Sequence, residues 1–418
     1  MKILWITYAP LGKAGEIIEN AKSQSGTWID ATAKMFLKNS NVKLAIACIA
    51  SKNVKISDEE MNIDYYGVAG VKRVMGKKPD AADALAWKKI IQDFSPNLIM
   101  VWGTEYANGL SILDVAGNIP VLFFVQGVVG RIAQYPLGGL SKKEVVKEIG
   151  LTNGIKFVHF IRNSCRIYKQ KEIEIEMVKK SNGIITDSQW ADSYYQASIE
   201  GVKTYHFPLP MKQEFLDGKY NLAAIQKHTI FTIDGCNPAK GMFQLIKAIS
   251  IVRRIYPDVK LLIPGRTPSK KPEFIFESPY YTYLKKLIKQ KGLENNVVFL
   301  GQQTSEQMKN NLLSCHIFVM PSAIENHSSS LREAMYLGVP SVTTLVGCVD
   351  EFTKYGENAL TYRYGEEDVL AANIIKLFSD DDFATRLGEK AYDAIRNKYP
   401  QTDLGERLLN IYSEVVNA

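Results

Sequence analysis

Short β-rich apolar runs alternate with amphipathic helical stretches along the whole chain, which restricts it to parallel sheets covered by helices. The runs come in two series. KILWITY, VKLAIACIA, LIMVWG, VLFFVQG and GIITDS predict the strands of a first sheet, and IFTIDG, VKLLIPG, NVVFLG, HIFVMPS and PSVTTL those of a second. Helices are expected over 241–254 and 283–291, and two more in the tail beyond Phe383, separated near Tyr399 and Pro400. A chain of 418 residues exceeds what one core supports and suits two domains. Between the series, the stretch from Tyr205 to His228 holds two prolines and no strand periodicity. The reading is therefore an N-terminal Rossmann-like domain over 1–205, a linker over 206–227 and a C-terminal Rossmann-like domain over 228–399, with helix 400–418 free to fold back on the first. Ligands of open α/β sheets sit beyond the C-terminal strand ends, so two doubly wound sheets facing a central cleft would serve a two-substrate reaction.

Composition removes several function classes. Hydrophobic residues at 46% and charged residues at 23% describe a soluble globular chain. The most apolar stretch, 111–130, is broken by Asp114, Asn118 and Pro120 and reads as a buried strand with its approaches, not a membrane span. The N-terminus has no small-residue cleavage site after an apolar core, so a cytoplasmic location is expected. Five scattered cysteines, an odd number without a C-x-x-C pair, imply that most are reduced core residues. The formal charge of +7 leans to the first half, with 25 basic against 20 acidic residues up to Glu200 and 26 against 24 beyond. That excess suits peripheral contact with an anionic membrane face, and ordinary solvated charge accounts for it equally well. No dense basic run with interleaved aromatics points to nucleic acid. The five histidines are dispersed and Asp380, Asp381 and Asp382 read as helix-capping residues, so no metal is expected. The first strand is not followed by G-x-G-x-x-G, and GVKRVMGKK has neither the spacing nor the hydroxyl residue of an ATPase phosphate loop.

The strongest chemical signal is PSAIENHSSSLREAMYLGVP, 321–340, where a strand ends, a small polar loop follows and a helix begins near Ser330. A helix N-terminus after a strand and a tight loop is an anion site, because its first-turn N–H groups are free and its dipole end is positive. Glu325 in the loop and Glu333 on the helix are placed to approach one ligand from two sides. Taken alone, two such glutamates also occur as solvated helix charges. A second element, IDGCNPAKG, ends a strand and sets Lys240 at a helix start, where an ammonium would balance a diphosphate leaving group.

Together these residues resemble retaining glycosyltransferase family 4, whose signature is roughly E-G-F-G-L-P-x-x-E. Here it stands as ENHSSSLRE, then AMYLGVP, then GCVDEF around Gly347 and Glu351, so the end glutamates match and Asn326, His327 and Ser328 replace the central Gly-Phe-Gly. The order of FLG, a helix, HIFVMPS, the glutamates and GVPSV follows the family over about the last two hundred residues. The resemblance implies a metal-independent GT-B enzyme of two Rossmann-like domains, with no cofactor and with a nucleotide diphosphate sugar as donor substrate. Glu325 and Lys240 would be catalytic. Glu333, Ser329, Ser330, Leu331, His327, Gln303 and Gly26 would form the donor-binding set, with Glu333 on the ribose hydroxyls and the amides of 329–331 on the diphosphate. Gln126, where the family often has histidine, would contact acceptor or sugar; it cannot take a proton, which suits proton transfer to the departing phosphate. The family's arginine ahead of the lysine is missing, since 231–239 holds no basic residue, and Arg266 is the candidate to replace it. The function so implied is hexosyl transfer to a hydroxyl of a sugar or lipid-linked sugar, with retention, in polysaccharide or glycolipid assembly. The rivals are a nucleotide-sugar epimerase of the same architecture and a nucleotide-sugar-binding protein that has lost turnover.

Overall fold

Strand β1 (Lys2–Thr7) divides its side chains between two apolar layers, Ile3 and Trp5 entering one cluster and Leu4 and Ile6 another. A strand buried on both faces marks a helix-covered parallel sheet. The computed structural model describes residues 1–20, 27–38, 42–141, 143–146, 151–235, 237–265 and 278–418, without the side chains of 12, 27 and 151–156.

The first sheet adds β2 (Lys43–Ile49), β3 (Val54–Asp58), β4 (Ile63–Val68), β5 (Leu98–Trp102), β6 (Val121–Phe124), β7 (Gly183–Thr186) and β8 (Thr204–His206), in the order β3-β4-β2-β1-β5-β6-β7-β8. All neighbours are parallel except β3 with β4. The second sheet holds β9 (Thr229–Thr232), β10 (Lys260–Pro264), β11 (Val297–Gly301), β12 (Ile317–Met320), β13 (Ser341–Thr344) and β14 (Leu360–Tyr362), all parallel, in the order β11-β10-β9-β12-β13-β14. All ten expected strands are present. Four others were not anticipated. In β4 the buried Asp64, bonded to Lys43 at 3.2 Å and Ser57 at 2.6 Å, interrupts the apolar run, while β8 and β14 have three residues each, too few to show a period.

The chain divides into two compact units. The first comprises Met1–Ala133, Arg166–Lys212 and Gln401–Ala418; the second comprises Gln134–Cys165 and Gln213–Pro400. This differs from the sequence boundaries in two places. The second unit takes up the chain at Gln213, inside the stretch read as linker, where Tyr220 donates its N–H to the Leu337 carbonyl at 2.8 Å and its hydroxyl to that of His316 at 2.8 Å. It also includes a piece of the first half, 134–165, whose Leu140 and Val145 enter its main core. The terminal helix Leu404–Asn417 belongs to the first unit, where the Trp5 indole donates to the Tyr412 hydroxyl at 3.0 Å. Asp380 caps the helix Asp381–Lys398 by accepting from the Phe383 N–H at 2.8 Å. The described cysteines, Cys48, Cys165, Cys315 and Cys348, are free thiols.

Each sheet has one point where the winding reverses. From β1 the chain proceeds to β2 on one side, and from β5 to β6 on the other; in the second sheet β9 leads to β10 and β12 leads to β13 in opposite senses. The loops leaving β1 and β5, and those leaving β9 and β12, therefore flank the crevices in which such sheets hold ligands.

Candidate active site

At the reversal point of the second sheet, the loop after β9 turns through the short 3-10 helix Pro238–Lys240, capped by the Asn237 side chain, and passes through Gly241 in a left-handed conformation before the helix Met242–Val252. Gly241 is required there, because a Cβ would lie 1.8 Å from the Pro321 carbonyl oxygen. That close approach sets the β9 loop against the β12 loop, and the Ala323 N–H donates to the Ala239 carbonyl at 2.7 Å. Lys240 then reaches Glu325 across 85 residues of sequence, with Nζ 2.7 Å from Oε1. Glu325 is 10% exposed and Lys240 38% exposed, so the carboxylate is sunk and its cation opens to solvent. Behind Glu325, Gly347 passes so closely that a Cβ would meet the Glu325 carbonyl at 1.7 Å, and the Cys348 N–H bonds that carbonyl at 3.4 Å.

The loop enters the helix Ser329–Leu337 through Ser328 at φ 49°, and the Ser328 side chain makes no capping bond. No acidic residue occupies the first turn. The helix thus meets its loop with first-turn amides uncapped by their own N-cap residue and a positive dipole end, the arrangement an anion needs. Ser329 is exposed and Ser330 half-buried, whereas the Leu331 side chain is in the core, so its contribution to a ligand is its backbone alone. Glu333, on the second turn, is only 4% exposed. A carboxylate so placed is part of the packed interior. His327 turns toward the helix: an Arg332 Nη lies 2.9 Å from Nδ1, and the guanidinium lies 3.9 Å from the centre of the Tyr399 ring. Gln303, beyond β11 on the sheet edge, donates to the Leu300 carbonyl at 3.0 Å and accepts from Asn311 at 3.2 Å, closing its own turn. The structure thus pairs Lys240 with Glu325, in the loop that leads into the 329–331 turn, and places Gln303 on a different strand end. Gly26 and Arg266 lie outside the described residues.

The reversal point of the first sheet carries a second set of polar groups. Glu105, just past β5, lies against Gly103 and Gly127, where an added Cβ would come within 2.4 and 3.1 Å of its carboxylate oxygens. Tyr8, just past β1, stands beside it, and Gln126 follows the end of β6. Burial pushes the Glu105 carboxyl up to about 7, against opposing hydrogen bonds from the backbone at Glu105, Thr104 and Gly127. Glu174 is fully buried nearby and accepts from Thr104 and Tyr195 at 2.6 Å each and from the Val129 and Gly130 amides at 3.2 Å each. It too is pushed up to about 7 by burial, with the negative field of Glu105 adding to the effect. These bonds fix the loop after β6 on which Gln126 sits. Sequence reading missed both glutamates; the available signal was a carboxylate two residues past the LIMVWG strand.

Two such sheets define a GT-B fold. Over 99% of this chain and 99% of the other, the structure superposes on sucrose-phosphate synthase from Thermosynechococcus elongatus with a TM-score of 0.76 at 13% identity. It also superposes on Anabaena HepE in complex with UDP-glucose, with a TM-score of 0.69 at 15% identity over 99% of this chain and 100% of that one. Residues 220–394, nearly all of the second unit's later part, match the family described as Glycosyl transferases group 1. Over 202 residues the chain is 25% identical to N-acetyl-alpha-D-glucosaminyl L-malate synthase from Bacillus anthracis, which covers 48% of this chain and 49% of that protein. The chain spans about half the length, or less, of the curated relatives it matches. The stretch that matches this family lies within the second unit.

Proposed function

We propose that this chain is a glycosyltransferase that moves a hexosyl group from a nucleotide diphosphate sugar to a hydroxyl, with retention at the anomeric carbon. The observation that carries the reading is the Lys240–Glu325 pair, built from the two loops at the reversal point and set beside the uncapped turn 329–331. In the proposed complex the amides of Ser329, Ser330 and Leu331 receive the diphosphate, Glu333 holds the ribose, and Glu325 faces the donor sugar. Lys240 is the cation beside the leaving group. As the glycosidic bond breaks, negative charge grows on the diphosphate, and a positioned ammonium stabilises that charge more than the ground state. A lysine in this role makes a metal unnecessary. The departing phosphate oxygen receives the acceptor proton on the same face, so Gln126 needs only to orient. Glu105, at the reversal point of the first sheet, is assigned with Gln126 to the acceptor side, where a protonated carboxyl can donate to and accept from hydroxyl groups.

Anabaena HepE, of the same fold, is in complex with UDP-glucose, which makes UDP sugars the first donors to try. The acceptor class proposed is a sugar or lipid-linked sugar in polysaccharide or glycolipid assembly, in the cytoplasm and in peripheral contact with an anionic membrane through the more basic first half. Among the described residues, no helix is long and apolar enough to cross a membrane. The test is release of nucleotide diphosphate from a panel of UDP and GDP sugars, with and without sugar acceptors. Release that depends on acceptor supports transfer, whereas interconversion of the sugars without release would replace the reading by an epimerase.

A further inference from the structure

The piece of the first half that joins the second unit lies directly against the loop that carries Lys240. After β6 the chain reaches Tyr135 and makes a tight turn in which the Gly138 N–H donates to the Tyr135 carbonyl at 3.0 Å, and 139–141 and 143–146 belong to the second unit. Gly138, at φ 63°, touches the 3-10 helix Pro238–Lys240 backbone to backbone: a Cβ would lie 2.1 Å from the Pro238 oxygen and 2.9 Å from the Ala239 nitrogen. Tyr364, just past β14, clamps the same spot. Its hydroxyl donates to the Gly138 carbonyl, its ring stands edge-on to Tyr135 at 6.1 Å, and the same ring would meet a Cβ on Gly139 at 3.1 Å and on Gly241 at 3.2 Å.

The rest of the strap is anchored away from this point. Leu140 and Val145 are in the core of the second unit. Glu144 bonds Lys247 at 3.0 Å and Tyr283 at 3.2 Å; burial alone would raise its carboxyl, but the Ser141 and Lys247 hydrogen bonds outweigh it and bring it down to about 2. A surface crossover would not need a core anchor, a half-buried ion pair and a left-handed glycine set backbone to backbone on one turn of three residues.

We propose that Gly138 and Tyr364 are positioning residues for donor chemistry: the strap between β6 and β7 holds the Pro238–Lys240 turn in the register that brings Lys240 to the diphosphate. This deepens the transferase reading and rests on it. The strap leaves from the loop after β6 that Glu174 fixes, so one continuous stretch of chain joins the acceptor-side loop to the leaving-group cation.

The experiment compares the parent chain, Gly138→Ala, Tyr364→Phe, Lys240→Ala and the double variant Gly138→Ala/Lys240→Ala. One readout is calorimetric affinity for UDP and GDP, a second is donor turnover, and a third, needing no ligand, is hydrogen exchange at the Lys240 and Gly241 amides. Gly138→Ala is expected to lower turnover by about tenfold to a hundredfold, the scale of an ångström-sized misplacement of a catalytic group. The exchange of those two amides should rise, and Gly138→Ala should add nothing in the Lys240→Ala background, because both act through one group. Tyr364→Phe, which removes a single hydroxyl, should show the same pattern at smaller amplitude and serves if Gly138→Ala does not fold. Unchanged amide exchange in both variants overturns the proposal, as does a loss that multiplies with that of Lys240→Ala. A parent chain that binds neither nucleotide would instead count against the transferase reading, while the exchange result still decides the role of the strap.

Discussion

The two units treat their glutamates in opposite ways. In the second, Glu325 is sunk but faces an ammonium at 2.7 Å, so its charge is matched by a cation that is open to solvent and free to serve a ligand. In the first, Glu105 and Glu174 have backbone amides, hydroxyls and each other for company, and burial holds both near 7. The difference teaches what each crevice suits. A paired carboxylate beside a helix N-terminus belongs to a site for a charged diphosphate, whereas a carboxyl that keeps its proton near neutrality belongs to a site for neutral hydroxyl groups. The proposed donor and acceptor sides thus differ in charge before any ligand is bound.

The comparison breaks most visibly at Lys240. Lys240→Ala should lower donor turnover by about a hundredfold to a thousandfold, the usual loss for a group that stabilises charge in the transition state, and nucleotide affinity by less; steady-state kinetics in which only KM moves would remove it from the chemistry. Next comes Glu333, where Glu333→Gln keeps the shape of a buried side chain. Losing a charged hydrogen bond worth about 1.5–3 kcal/mol should weaken nucleotide binding by about tenfold to a hundredfold. Equal affinity in calorimetry would end the ribose assignment.

Smaller is the dependence of stability on pH that the two glutamates of the first unit contribute. The folded-state values of Glu105 and Glu174, about 7, lie above the ordinary 4.5, so between these values the folded chain binds more protons than the unfolded one. Their contribution is complete below about pH 4.5 and is lost as pH rises through 7. Glu144, brought down to about 2, acts in the opposite sense and only on the acid side of that window. Melting temperature measured from pH 5 to 9 should fall, and less steeply in Glu174→Gln; identical slopes would mean that Glu174 does not hold its proton. The smallest expected effect is that of a chelator. If Lys240 supplies the positive charge, turnover should persist in EDTA, and loss of activity restored by magnesium would assign that charge to a metal instead.

What could be read from sequence follows the same division. Lys240, Glu325 and the 329–331 turn were legible because each lies in a local pattern of strand, loop and helix, and local order is what sequence displays. The resemblance named Lys240 and Glu325 as residues of one site, but their ion pair was not foreseen, since 85 residues separate them. The turn of His327 toward Arg332, which itself stacks on Tyr399, has no local trace, and neither does the contact of Gly138 with Pro238. Glu174 was hidden for another reason: it sits in the charge-rich helix Leu151–Lys180, where a glutamate is ordinarily solvated, and only packing shows that this one is fully buried. The fold itself was legible because strands such as β5 and β6 are apolar throughout; β4 was not, because its interior holds the paired Asp64.

The central claim is that the reversal point of the second sheet binds a nucleotide diphosphate. Its most direct test is calorimetric titration of UDP and GDP into the parent chain and into Glu333→Gln. The account predicts saturable binding of one of the two nucleotides by the parent, weakened by about tenfold or more in the variant. Binding that is absent from the parent, or that is the same in both proteins, would contradict it.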